Sequence, residues 1–193
     1  MSILNRYALM DALRRGTVRS NIEPTDPKVG PNSIDVSLGD EMLEVVPNAR
    51  ILGIIPAHDY TKEPKTRKVP LFRDKYFVLW PRRTYLSIVN ESFYSEEYVQ
   101  QLYGRSTIAR GGTSTHLSAG FGDLGWDGKF VLELVNHNRF PVLLCPGMDI
   151  AQVAFTLAQG RRRKMDLYGQ CRKSHYQNQG SVVGSEGLVS DEK

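Results

Sequence analysis

Most of this chain is written in short runs of alternating polar and apolar residues closed by glycine or proline, a pattern that suits pleated strands and leaves little room for helices. Ser33-Ile-Asp-Val-Ser-Leu38 is one such run. Others cover residues 42–46, 76–80, 84–90, 129–135, 141–145 and 150–157, the last two separated by a turn at Pro146-Gly147. Residues 3–15 alone carry a sustained helical period, with Leu4, Tyr7, Ala8 and Ala12 in phase, Ser2 as N-cap and Gly16 as stop. A helical turn is expected at 95–102. Between the runs at 42–46 and 76–80 a long solvated loop is expected, with His58 as a surface residue in it. The expected fold is therefore mainly β, a sandwich, jelly roll or distorted barrel with an N-terminal helix and few short helical turns.

At 193 residues the chain suits one domain spanning 1–193. Its net charge of +4 and pI near 9.1 mildly favour anionic ligands without requiring nucleic acid. The basic run Arg161-Arg-Arg-Lys164 has no interleaved aromatic residues and reads as a solvated loop. Cys145 and Cys171 make neither a disulfide framework nor a zinc quartet, so a reducing cytoplasm is expected. No apolar run is long enough to suggest a membrane span, and the first residues lack the layout of an export signal. Residues 174–193 are polar and glycine-rich and are expected to form a flexible tail, disordered when no ligand is bound.

Chemistry-bearing residues crowd between Gly104 and Glu133. Glycines punctuate this stretch and would let its amides approach an anion. Arg105-Ser106-Thr107 offers a guanidinium fork, two hydroxyls and main-chain N–H groups, which together can hold phosphate oxygens or simply form a polar loop. Glu133 shares one face of its run with Val131 and Val135, while Phe130, Leu132 and Leu134 take the other. Two outcomes follow. Glu133 is either a buried carboxylate, raised by desolvation into proton-shuttling range, or an exposed charge on an edge strand. Arg110 is its nearest candidate partner.

In order and spacing, several segments resemble the dCTP deaminases of the trimeric dUTPase superfamily: Gly104-Arg-Ser-Thr-Ile-Ala-Arg110, Ala119-Gly-Phe-Gly-Asp-Leu-Gly-Trp-Asp-Gly128, Val131-Leu-Glu-Leu-Val-Asn136, Pro146-Gly-Met148 and Gln152. Asn32-Ser-Ile-Asp-Val-Ser-Leu-Gly39 upstream and Tyr176-Gln-Asn-Gln-Gly180 downstream extend the resemblance over nearly the whole chain.

The resemblance implies a dUTPase-like fold, a homotrimer with sites between subunits, and dCTP as substrate with Mg²⁺ arriving on its triphosphate. It implies Glu133 as a metal-free proton shuttle, Arg110 orienting it, and Ser106 holding water or phosphate. Arg105 and Thr107 would hold phosphates, Ile108, Ala109, Val131 and Leu132 would contact the substrate, Gln152 would read the base and Asp123 would hold the sugar 3′-hydroxyl. Tyr168, His175 and Gln179 would reach the nucleotide from the tail, though lysine stands at the position of His175 in familiar bacterial members. Ala119 would line the water pocket, His116 would support it from behind, and Asp35 would serve a structural role near the subunit interface. No zinc is expected, since the chain lacks the H-x-E and P-C-x-x-C pattern of zinc deaminases. The expected reaction is hydrolysis of dCTP to dUTP and ammonia in pyrimidine deoxynucleotide supply; the alternatives are a bifunctional enzyme releasing dUMP and pyrophosphate, and a non-catalytic nucleotide-binding regulator.

Overall fold

The computed structural model describes residues 2–46, 65–160, 163–171 and 176–184; His58, Arg161, Arg162, His175 and the tail from 185 onward lie outside the described residues. A single long helix, α1 (Arg6–Arg15), opens the described chain. Thirteen strands follow: β1 (Arg19–Ser20), β2 (Ile34–Val46), β3 (Lys65–Lys68), β4 (Phe77–Leu79), β5 (Thr84–Val89), β6 (Phe93–Tyr94), β7 (Tyr98–Gly104), β8 (Thr113–Ser114), β9 (Phe121–Gly122), β10 (Asp127–Gly128), β11 (Val131–Asn136), β12 (Val142–Leu144) and β13 (Asp149–Leu157). The short helix α2 (Ser106–Arg110) lies between β7 and β8.

The helix starts later than its period suggests. Asn5, not Ser2, is the N-cap: its side chain accepts a hydrogen bond from the Ala8 amide at 3.0 Å, while Ile3 is already bridged to Thr156. Gly16 ends the helix in a left-handed conformation, as expected. Leu9 and Ala12 face the core, whereas Tyr7 is 78% exposed.

The main sheet runs β8-β11-β5-β2-β13-β7-β9, with β3 paired to β2. Its curl comes from β2, whose first half pairs with β13 and whose second half pairs with β5 across a register shift between Leu38 and Met42. Gly39 sits in that shift, where a Cβ would meet the Ile88 carbonyl oxygen at 2.6 Å. This single strand covers two of the expected runs. The expected helical turn at 95–102 is not formed; from Tyr98 onward these residues belong to β7, which lies antiparallel to β13 from Tyr98↔Leu157 to Gly104↔Ala151. Residues 65–68, expected as loop, form β3 on the edge of β2.

Alternation places Ile34, Val36 and Leu38 of β2, Leu132 and Leu134 of β11, and Val153 and Phe155 of β13 in the core, all fully buried. Each such side chain contributes about 1.5–3 kcal/mol on burial. Glu44 intrudes on this core face and is held by Arg67 of β3 and Arg83, each at 2.5 Å. Burial pushes its carboxyl up, but the two guanidinium partners together outweigh that and hold it below the ordinary range. The clamp of β3 on β2 is thus present at neutral pH and is lost as pH falls through that depressed pKa.

Candidate active site

Opposite this core face, β11 presents Val131, Glu133 and Val135 in alternation with buried Leu132 and Leu134. Leu86 is the cross-strand neighbour of Glu133. A cavity of about 700 Å³ opens here, lined by Val131, Glu133 and Leu86 of the sheet, by Ala119 and Asp123 of the loops, and by Tyr168, Tyr176 and Gln179 near the chain's end.

Glu133 is half-buried, neither fully enclosed nor on an open edge. The Leu117 amide donates to its Oε2 at 3.1 Å. Burial raises its pKa; that N–H and the nearby His116 pull in the other direction without cancelling it. His116 leaves its buried Nδ1 without a hydrogen-bond partner.

Of the tail, residues 176–179 are hydrogen-bonded to the turn at 125–129. Trp126 Nε1 donates to the Tyr176 carbonyl at 2.8 Å, Gln177 Nε2 donates to the Gly125 carbonyl at 3.0 Å, and the Lys129 amide donates to the Gln179 carbonyl at 2.9 Å. Gly125 makes this seat possible: its φ of 83° lies in the left-handed region, and a Cβ would meet Leu167 Cβ at 2.8 Å. Trp126 packs on Phe130 with ring centroids 4.7 Å apart, and both touch the cavity. Sequence reasoning missed these aromatic residues and Phe121 as lining groups. The Gly-Trp-Asp-Gly turn carried the only available signal.

The other expected site residues stand elsewhere. Leu132 turns its side chain into the core, so only its main chain can face a ligand. Ser106, Thr107, Ala109 and Arg110 are exposed on α2, with Ile108 half-buried, and α2 buries none of its residues. Arg110 forms no ion pair with Glu133 within the chain, contrary to the expectation, because α2 lies outside the cavity lining. Arg105 pairs with Asp35 and Asp149, and Gln152 accepts a hydrogen bond from Ser33 Oγ at 2.7 Å. Strand register explains this second group: Gln152 lies opposite Asp35 on β2 and Tyr103 on β7. Among the described residues, the cavity lining contains Asp123 and Glu133 but no lysine or arginine.

The sequence model of the family described as dCTP deaminase-like matches residues 3–158. The chain belongs to the dCTP deaminase-like family. Among its relatives, the "dCTP deaminase, dUMP-forming" of Methanosphaerula palustris is 31% identical over 179 residues, covering 92% of this chain and 91% of its own. The protein of the same description from Beutenbergia cavernae is 36% identical over 143 residues, 72% of each chain. That from Methanopyrus kandleri is 32% identical over 162 residues, covering 80% of this chain and 81% of its own. The crystal structure of 2′-deoxycytidine 5′-triphosphate deaminase from Agrobacterium tumefaciens superposes with a TM-score of 0.58 at 18% identity. It covers 81% of this family member but only 48% of its own, longer chain, and it shares the fold. The expected mainly β architecture with an N-terminal helix is thereby borne out.

One expectation is overturned. Deamination ending at dUTP does not match these relatives, which are described as forming dUMP. Among the described residues no helix is long and apolar enough to cross a membrane.

Proposed function

We propose that this chain converts dCTP and two waters to dUMP, ammonia and pyrophosphate. The observation that carries the reading is that two carboxylates of different setting, Glu133 raised by burial and Asp123 on a loop, line one cavity beneath the seated tail. Relatives described as dUMP-forming support the second step.

In the first step, water adds to cytosine C4 while Glu133 takes its proton and passes it to N3. Glu133 then moves the remaining hydroxyl proton to the amine, and ammonia leaves as the C4–N bond breaks. A carboxyl with a raised pKa can both accept and return protons near neutrality. In the second step, water attacks the α-phosphorus, Asp123 accepts its proton, and pyrophosphate departs. Mg²⁺ carried on the triphosphate would screen phosphate charge, and phosphate oxygens suit this hard cation. Tyr168, under the tail, and Gln179, within it, would hold the sugar and exclude water. In this reading the enzyme works in the cytoplasm on free nucleotide.

A triphosphate needs cations, and Arg105 and Arg110 lie outside the cavity lining. The reading is therefore completed by a homotrimer in which Arg105, Ser106, Thr107, Arg110 and Gln152 of one copy face Glu133 of another. Glu133→Gln and Arg110→Ala subunits, each reduced to a small residual activity alone, are expected to recover roughly a quarter of wild-type activity when refolded together in equal amounts, since half the subunits supply each intact half-site. Sites built within single chains would give no recovery. A neighbouring Arg110 would also favour the ionised carboxylate. The residual activity of Arg110→Ala is accordingly expected to lose its acid limb at higher pH than wild type, read from kcat/KM against pH.

The reaction itself is tested by incubating the protein with dCTP and Mg²⁺, separating nucleotides by ion exchange, and assaying ammonia and pyrophosphate. Ammonia with dUMP and pyrophosphate supports the reading. Ammonia with accumulating dUTP overturns the second step, and bound nucleotide without product overturns both.

A further inference from the structure

Gly104 ends β7 opposite Ala151 of β13, so the chain delivers Arg105 to the place where β13 begins and β2 runs alongside. Two carboxylates meet it there. Arg105 Nη1 lies 2.6 Å from Asp35 Oδ2 and 3.4 Å from Asp149 Oδ2. The nitrogen is shielded from solvent, and its contact with the carboxylates is an ion pair off the line of its N–H bonds rather than an aligned hydrogen bond. The whole side chain is 35% exposed, and Nη1 contributes almost none of that exposure. Among the described residues no side-chain hydrogen bond engages its Nε and Nη2 edge: Arg105 caps α2 without one, and α2 buries none of its residues.

From this geometry we infer that Asp149, together with Asp35, is a positioning residue that turns the free edge of Arg105 toward the nucleotide's phosphates. The inference rests on the proposed reading of Arg105 as a phosphate-holding group. A structural purpose is the weaker explanation, since pairs between half-exposed side chains add little to stability. Charge alone is also a weaker one. Two carboxylates beside one guanidinium leave a local excess of negative charge, which by itself would repel a triphosphate; their value must lie in direction, because a guanidinium recognises phosphate through a planar edge of fixed geometry.

A double-mutant cycle on the full-length protein tests this. Asp149→Asn is expected to raise KM for dCTP by about tenfold with kcat changed less than about twofold, and in an Arg105→Gln background to change KM by less than about twofold, because contacting groups that act as a unit are not additive. Asp149→Glu is expected to restore most of the loss. An unchanged or lowered KM in Asp149→Asn, or the same rise in both backgrounds, overturns the inference. If Asp149→Asn fails to fold by circular dichroism, the same cycle is run with Asp35→Asn and Asp149→Ser, and effects independent of Arg105 overturn it equally. Wild type that releases no ammonia from dCTP overturns the proposed reaction instead; the cycle is then read from calorimetric dCTP binding, with affinity in place of KM and the same criteria.

Discussion

Glu133→Gln is expected to cut ammonia release from dCTP by about 10³-fold or more, because it removes the one group placed to move every proton of the deamination. The substitution keeps side-chain size, and the Leu117 amide that now donates to Oε2 still finds an oxygen to accept it. Folding and dCTP binding are therefore expected to persist, measured by circular dichroism, light scattering and calorimetry. The decisive control is the second substrate. Given dUTP, the same variant is expected to release dUMP and pyrophosphate within a few-fold of wild type, since that step draws on Asp123. Loss of the fold would instead make Glu133 structural, and loss of both reactions with binding intact would mean that the two steps share one base.

Asp123→Asn is expected to do the reverse. Release of dUMP from dUTP falls by about 10³-fold, while ammonia release from dCTP continues and dUTP accumulates, because an amide cannot take the attacking water's proton. Nucleotides resolved by ion exchange at successive times give the answer. Equal loss of both products with a large rise in KM would assign Asp123 to holding the sugar hydroxyl in both reactions. The pair of variants thus separates two chemistries that relatives' descriptions name together.

Several parts of this picture were legible in the residues because they depend on local period. Alternation along Val131–Asn136 put Glu133 on one face and Leu132 and Leu134 on the other, and the structure keeps that division. Gly16 ended α1 as a residue free to adopt positive φ should. Where a local rule had two solutions, distant partners chose between them. Residues 95–102 had helical character, yet Gln100 and Leu102 are buried in β7 by pairing with β13. The N-cap moved from Ser2 to Asn5 because Ile3 found Thr156.

For the site, the sequence by itself determined the inventory: a carboxylate alternating with core residues, a second acid in a glycine-rich loop, a short Arg-Ser-Thr-Ile-Ala-Arg stretch, and a family whose sequence model matches residues 3–158. Only the tertiary structure decided the grouping. Ala119, Asp123, Glu133, Tyr168 and Gln179 converge on one cavity, whereas Arg105 joins Asp35 and Asp149, Gln152 joins Ser33, and Arg110 stays out on α2. Side-chain period is a property of neighbours along the chain, but which strands lie side by side, and where a tail finds its seat on Trp126, are set by packing between segments tens of residues apart.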